Sequence, residues 1–178
     1  MSYQLGEIVT SSKGIRSAPL SDAKGNPVFV LCRKPLTCPF GASAFNDPTA
    51  IRKKNICFRC DETMKELFGK LDVYMASYVE QNTNRLFRGK AMTYKPAMQT
   101  KEDYEPLLRC KINMGGSRGC KFWTQLGART SAPEDFKECI LTPRIHIRGL
   151  WIMAGECGLQ LEVTDCTRDV IQEDSPFM

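Results

Sequence analysis

Polar and apolar residues alternate on both sides of a glycine turn late in the chain. Between Cys139 and Cys166, Arg144, His146 and Arg148 interleave with Ile145 and Ile147, and the apolar run Leu150–Met153 follows Gly149. Beyond Ala154-Gly155-Glu156, Leu159, Leu161 and Val163 interleave with Gln160, Glu162 and Thr164. Period-two alternation around a turn predicts a long antiparallel hairpin, with one face on a core and the other toward solvent or a ligand. The polar face of its first strand is basic, and Trp151 lies close by.

The same pattern changes period near the middle of the chain. Met64, Leu67, Phe68, Leu71, Met75 and Val79 recur at steps of three and four behind Asp61, which predicts an N-capped amphipathic helix over about 62–81. This Met and aromatic stripe reads as core packing. Short strands are expected near Gly6–Thr10, and Val28–Cys32 has no polar break and reads as a buried strand. Asn55–Arg59 and Leu107–Asn113 are further strands. Gly115–Gly119 reads as a hairpin turn, with Cys120–Leu126 as the partner strand. Pro and Gly make loops of Thr37–Phe45 and of Asn46-Asp47-Pro48. Strands around one main helix predict a β-rich α+β or β-barrel domain over 1–168, followed by a short acidic tail over 169–178.

Charge sharpens the picture. The net charge of +5 is unevenly spread. Residues 13–54 carry eight Lys/Arg against two acids, and residues 85–148 carry thirteen against six. Two basic blocks that converge on one surface would attract polyanions. Pairing charge with aromatics gives candidates for a single-strand nucleic-acid surface, where a basic groove follows the backbone and rings stack on bases. The candidate charges are Arg33, Lys34, Arg85, Arg88, Lys90, Arg109, Lys111, Lys121, Arg144 and Arg148. The candidate platforms are Phe40, Phe87, Tyr94, Phe122 and Trp123, about half of which must be core. Phe87 or Trp123, rather than Trp151, is expected to be exposed.

Other chemistry finds less support. The nine cysteines, an odd number with no signal peptide ahead of them, read as thiols in a reducing, intracellular compartment. Cys57 and Cys60 form the one CxxC, a weak zinc candidate that lacks a second close pair. His146 is the single histidine and reads as a polar-face residue rather than a base. No phosphate-binding loop or acidic nuclease cluster is present, so no enzyme and no cofactor are expected. No apolar run is long enough to span a membrane.

At Asn82–Lys90 and Tyr104–Ile112 the chain resembles a group of proteins from the nucleocytoplasmic large DNA viruses. The residues that carry the likeness are Phe87, Lys90, Tyr104, Pro106, Arg109, Lys111, Trp151 and Gly158-Leu159, within about 61–165. The resemblance implies an OB-fold that binds single-stranded DNA, similar to the single-strand binding proteins of T7-like phages. It places the protein in the cytoplasm or nucleus of a virus host. The expected role is to protect strands in replication, recombination or repair. The alternative roles are a structural protein of a large virus particle and a Cys-based enzyme. The tail, with Glu173, Asp174 and Phe177, is similar to the acidic tails of such proteins. It implies replication or recombination proteins as partners; a homo-oligomer is also compatible.

Overall fold

A computed structural model describes residues 2–43 and 52–168. The acidic tail, including Glu173, Asp174 and Phe177, and the Asn46-Asp47-Pro48 turn lie outside the described residues. The N-terminal strands are β1 (Tyr3–Leu5), β2 (Val9–Thr10), β3 (Arg16–Asp22), β4 (Val28–Leu31), β5 (Leu36–Thr37) and β6 (Lys53–Arg59). The helices α1 (Glu62–Gln81) and α2 (Thr83–Phe87) follow. Then come β7 (Thr93–Lys95), β8 (Met98–Gln99), β9 (Leu107–Asn113), β10 (Lys121–Trp123) and β11 (Arg129–Thr130). The long pair β12 (Ile140–Met153) and β13 (Glu156–Arg168) completes the order.

The predicted hairpin is the spine of the sheet. Met153 pairs with Glu156 across a two-residue loop, Ala154-Gly155, and both loop residues have positive φ, 49° and 79°. That combination matches the twist of the flanking strands. On its free edge β12 carries β5, β4 and β3 in succession, all antiparallel. On its free edge β13 carries β7, β9 and β10, all parallel. The sheet is therefore mixed. Among the described residues, its strand path from β1 to β11 does not close. The β-rich architecture around one main helix is as expected, whereas the parallel pairs at β13 depart from the antiparallel arrangement expected of an OB-like barrel. The strands beside β13 reach it through long connections rather than tight turns, so parallel pairing is available to them.

The Gly115–Gly119 segment is not a hairpin. β9 pairs with β6 and β8, whereas β10 pairs with β13 and β11. The loop instead steps the chain from one stretch of β13 to the next, held by Cys120 N–H donating to the Asn113 carbonyl at 2.6 Å.

Two register shifts divide the β12–β13 ladder, one at Thr164 and one at Arg148. The second matters most. Before it, Leu141, Ile145 and Ile147 are buried; after it, Leu150 and Ile152 are. One extra residue reverses which parity faces the core. Gly149 sits at this bulge with φ 155°, and a Cβ there would fall 1.9 Å from the Ala18 carbonyl oxygen.

The helix prediction is met over Glu62–Gln81, where Asp61 accepts a hydrogen bond from Met64 N–H at 2.8 Å as its N-cap. Met64, Phe68, Leu71, Met75 and Val79 join the inner face of the sheet in one core. Asp72 is 8% exposed among them and accepts from the Tyr94 hydroxyl at 2.7 Å and from Ala97 N–H at 2.9 Å. Those bonds satisfy a carboxylate that would otherwise be costly to bury. Among the described residues, no helix is long and apolar enough to cross a membrane.

Candidate nucleic-acid interface

The solvent face of the sheet is assembled by register. Phe29 on β4 pairs with His146 on β12, His146 with Glu162 on β13, Glu162 with Lys111 on β9, and Lys111 with Asn55 on β6. One row of five strands thus presents its side chains on the face opposite the core. A second row runs from Leu31 through Arg144 and Asp165 to Lys121. Arg109 lies two residues from Lys111 on the same face, across from Cys57, and Lys53 and Arg59 continue it along β6.

Val28–Leu31 is not the buried strand its composition implies. Val30 faces the core, but Phe29 is 37% exposed and Leu31 66%. The Phe29 ring stacks on His146, with centroids 4.7 Å apart and planes at 24°. The Arg144 guanidinium carbon sits 3.9 Å from the Phe29 ring centre. Partial burial, with Arg148 and Arg144 nearby, pulls the His146 imidazole below its ordinary pKa, against the pull of Glu162. At neutral pH it is a flat, mostly uncharged ring.

A second cation–ring pair lies further along. Arg129 on β11 stands 5.0 Å over the Trp123 ring. Trp123 Nε1 donates to Asp165 at 3.1 Å, and the other Asp165 oxygen lies 3.7 Å from Arg144. One carboxylate therefore orients both stacks. Arg148 is ion-paired with Glu162 in the same way. Lys111 is crowded: burial, then Arg109 and Lys53, push its pKa down. Cations held close against their own repulsion favour the arrival of an anion.

Two concavities adjoin this face. One, of about 280 Å³, lies against Arg52, Lys53, Arg118 and the Gly115-Gly116-Ser117 loop. The other, of about 530 Å³, lies beneath the β2–β3 arm and includes Arg148, Trp151 and Gln160. Lys53 lines both.

The sequence candidates divide accordingly. Arg109, Lys111, Lys121, Trp123, Arg144 and Arg148 share the solvent face. Arg33 and Lys34 are exposed in the loop joining β4 to β5, the strands beside the first half of β12. Phe40 is exposed in the loop after β5. The others are elsewhere. Phe87 is 5% exposed and Phe122 4%, so both are core and neither is a platform. Phe87 closes α2, a helix that the residue pattern does not announce; the chain turns at Asn82 and winds again, burying Leu86 and Phe87. Arg85 is a structural tie: its guanidinium donates to the Leu5 carbonyl and to the Tyr78 hydroxyl. Arg88 takes the left-handed position that ends α2, and Lys90 follows it, exposed. Tyr94 is committed to Asp72.

Cys57 faces outward with Arg109, while Cys60 is buried beyond the strand end. Strand parity separates the CxxC pair, and among the described residues no three metal-ligating side chains converge. All nine cysteines are free. Burial pushes the Cys32 and Cys38 thiols up to about 12 and Cys60 to about 11, which keeps them protonated and weakly nucleophilic.

Phe29, Lys53, Arg129 and the outward position of Trp151 were not foreseeable from residue type and spacing. Trp151 follows the Arg148–Gly149 bulge, and its ring lies over Gly158, where a Cβ would come within 2.9 Å of it. An aromatic covering a cross-strand glycine is a known way to support such a pair.

No protein-family model matches the chain, and no curated protein sequence matches it. Solved structures do. The single-stranded DNA binding protein gp2.5 of bacteriophage T7 superposes with a TM-score of 0.56 at 9% identity, over 80% of this chain and 86% of that one. The single-stranded DNA-binding protein of bacteriophage Enc34, in complex with ssDNA, gives 0.50 at 10% identity over 97% and 98%. The same phage protein without DNA gives 0.50 at 11% identity over 98% and 93%. At these identities the likeness is one of fold: a β-rich sheet with helices of the kind those phage proteins have.

Proposed function

We propose that the protein binds single-stranded DNA along the solvent face of the β4–β12–β13–β9 sheet, without strong sequence preference and without a catalytic step. The observation that carries this reading is the Phe29–His146 stack with Arg144 against the Phe29 ring, at the β4 edge of a cationic sheet face. Rings offer a surface to any base, and the surrounding cations follow the phosphates. The fold shared with the two phage proteins supports the reading. The role extends to strand protection in replication, recombination or repair, on an OB-type scaffold, in a reducing intracellular compartment. The affiliation with large DNA viruses rests on the motif residues alone.

The test is charge by charge. Alanine at Arg109, Lys111, Arg144 or Arg148 is expected to weaken binding of all single-stranded sequences about equally. The slope of log affinity against log salt should fall by about 0.7 for each phosphate no longer neutralised. Arg148→Ala should cost most, because it also leaves Glu162 without its partner. Four variants that bind like the parent protein would remove the sheet face from consideration.

The tail belongs to the same proposal. Its three acids leave the remaining 1–168 at +8, and it competes with DNA for the cationic face while offering Phe177 to partner proteins. Deleting Glu173–Met178 should tighten binding at low salt, with the gain shrinking as screening rises. An unchanged dissociation constant at low salt would leave the tail without this role.

A further inference from the structure

We infer that the cavity beneath the β2–β3 arm is a nucleotide pocket, which takes one unstacked base and its phosphate out of the bound strand. This rests on the single-strand reading of the sheet face and adds to it a discrete site with its own chemistry.

Its construction follows from two local features. The bulge at Arg148–Gly149 turns Trp151 to the solvent face, where one side of its ring lies on Gly158 and the residue lines the cavity. Opposite, Val9 and Thr10 pair with Ser17 and Arg16, and the tip is pinned by Ser11 N–H donating to the Ile15 carbonyl at 2.8 Å. Ser11 Oγ also accepts from Ile15 N–H at 3.1 Å, and Gly14, at φ 77°, makes the left-handed turn. The arm is an ordered hairpin rather than a loose loop.

The space between arm and sheet measures about 530 Å³, inside the roughly 300–1,000 Å³ of small-ligand sites. Its lining is a set of parts for one nucleotide. Trp151 supplies a ring face. Gln160, on the neighbouring strand, offers a donor and an acceptor to a base edge. Lys13, Arg16, Lys53 and Arg148 supply positive charge from three sides, and among the described residues the lining holds no carboxylate. Glu162 lies just outside and is occupied by Arg148. An apolar or cationic occupant would waste this lining; a base with its phosphate matches it. Arg148 and Lys53 belong both to the cavity and to the sheet face, so a strand on the sheet reaches the pocket without leaving its cationic track.

Trp123→Phe leaves Trp151 as the sole tryptophan of the full chain. Titrating this variant with oligothymidylate is expected to quench Trp151 emission saturably, in step with binding of a labelled oligomer followed by anisotropy. The double variant Lys13→Glu/Arg16→Glu alters two exposed arm residues outside the core, so it should keep the parent circular dichroism. It should weaken binding at least tenfold and abolish the quenching, while the remaining binding stays sensitive to Phe29→Ala. Truncating Trp151 to Ala should cost about 5- to 150-fold in affinity. Strand binding with no change in Trp151 emission, and no effect of the arm variant, would overturn the pocket and leave the sheet face standing. A parent protein that binds no oligomer would overturn both.

Discussion

Gly149→Ala is expected to destabilise the protein by more than about 3 kcal/mol, well into the range reserved for severe packing faults. The position fails an alanine twice. Its φ of 155° lies where L side chains are strained, and the new Cβ would overlap the Ala18 carbonyl oxygen at 1.9 Å, with Pro19 Cα at 2.9 Å. Both obstacles are backbone, so no rotamer change relieves them. β3 would have to lift away from β12, uncovering Ala18, Leu20, Leu150 and Ile152, all of which are buried. For a domain of this size the destabilisation corresponds to a Tm lower by roughly 6–12 °C. Gly69→Ala provides the internal control. It sits within α1, a Cβ there meets nothing within 4 Å, and helix propensity favours alanine by up to about 1 kcal/mol. The two substitutions should move Tm in opposite directions. An unchanged Tm for Gly149→Ala would mean that β3 does not pack as described.

The same glycine marks where the sequence stops being readable. The ends of α1, the Ala154-Gly155 turn and the span of β9 could be placed from residue pattern, because each element shows its own period and its own boundary residues. Arg144, His146 and Arg148 could be assigned to one face for the same reason. After Gly149 the run Leu150–Met153 holds no polar residue, so nothing in it reveals that a bulge has reversed the parity and sent Trp151 outward. Val28–Leu31 hides its exposed platform in the same manner: four apolar residues read as buried, and a ring meant for solvent looks like one meant for the core. Pairing across the sheet was less legible still. Gly115–Gly119 carries the composition of a hairpin turn, and only the long-range partners of β10 decide that it is a step along β13. Charge alone could not separate Arg85, which holds a backbone carbonyl, from Arg144, which caps a ring. The difference lies in what the fold brings beside each guanidinium.

Phe29→Ala is the substitution from which the largest weakening of binding on the sheet is expected. Among the ring pairs of the described residues, Phe29 combines a stacked ring, His146 at 4.7 Å, with a guanidinium, Arg144 at 3.9 Å. Removing a base-stacking platform costs about 1–3 kcal/mol of affinity, or roughly 5- to 150-fold. The truncation also removes the ring against which the Arg144 side chain is held, leaving its 3.7 Å approach to Asp165. A phosphate interaction that depended on its fixed position should weaken too, and the salt slope should become shallower. The stability loss should stay at about 2 kcal/mol, below that of a fully buried Phe, because the ring is partly exposed and the truncation removes part of its burial, one ring pair and one cation–ring interaction. Phe29→Trp separates stacking from packing: it should restore affinity by supplying a larger ring, whereas Phe29→Leu, similar in apolar volume, should not. A Phe29→Ala protein that melts many degrees lower yet binds single strands as before would assign Phe29 to packing. The centre of the interface would then move along Asp165 to the Trp123–Arg129 pair. There the same comparison, Trp123→Phe against Trp123→Leu, would show whether a ring is needed at all.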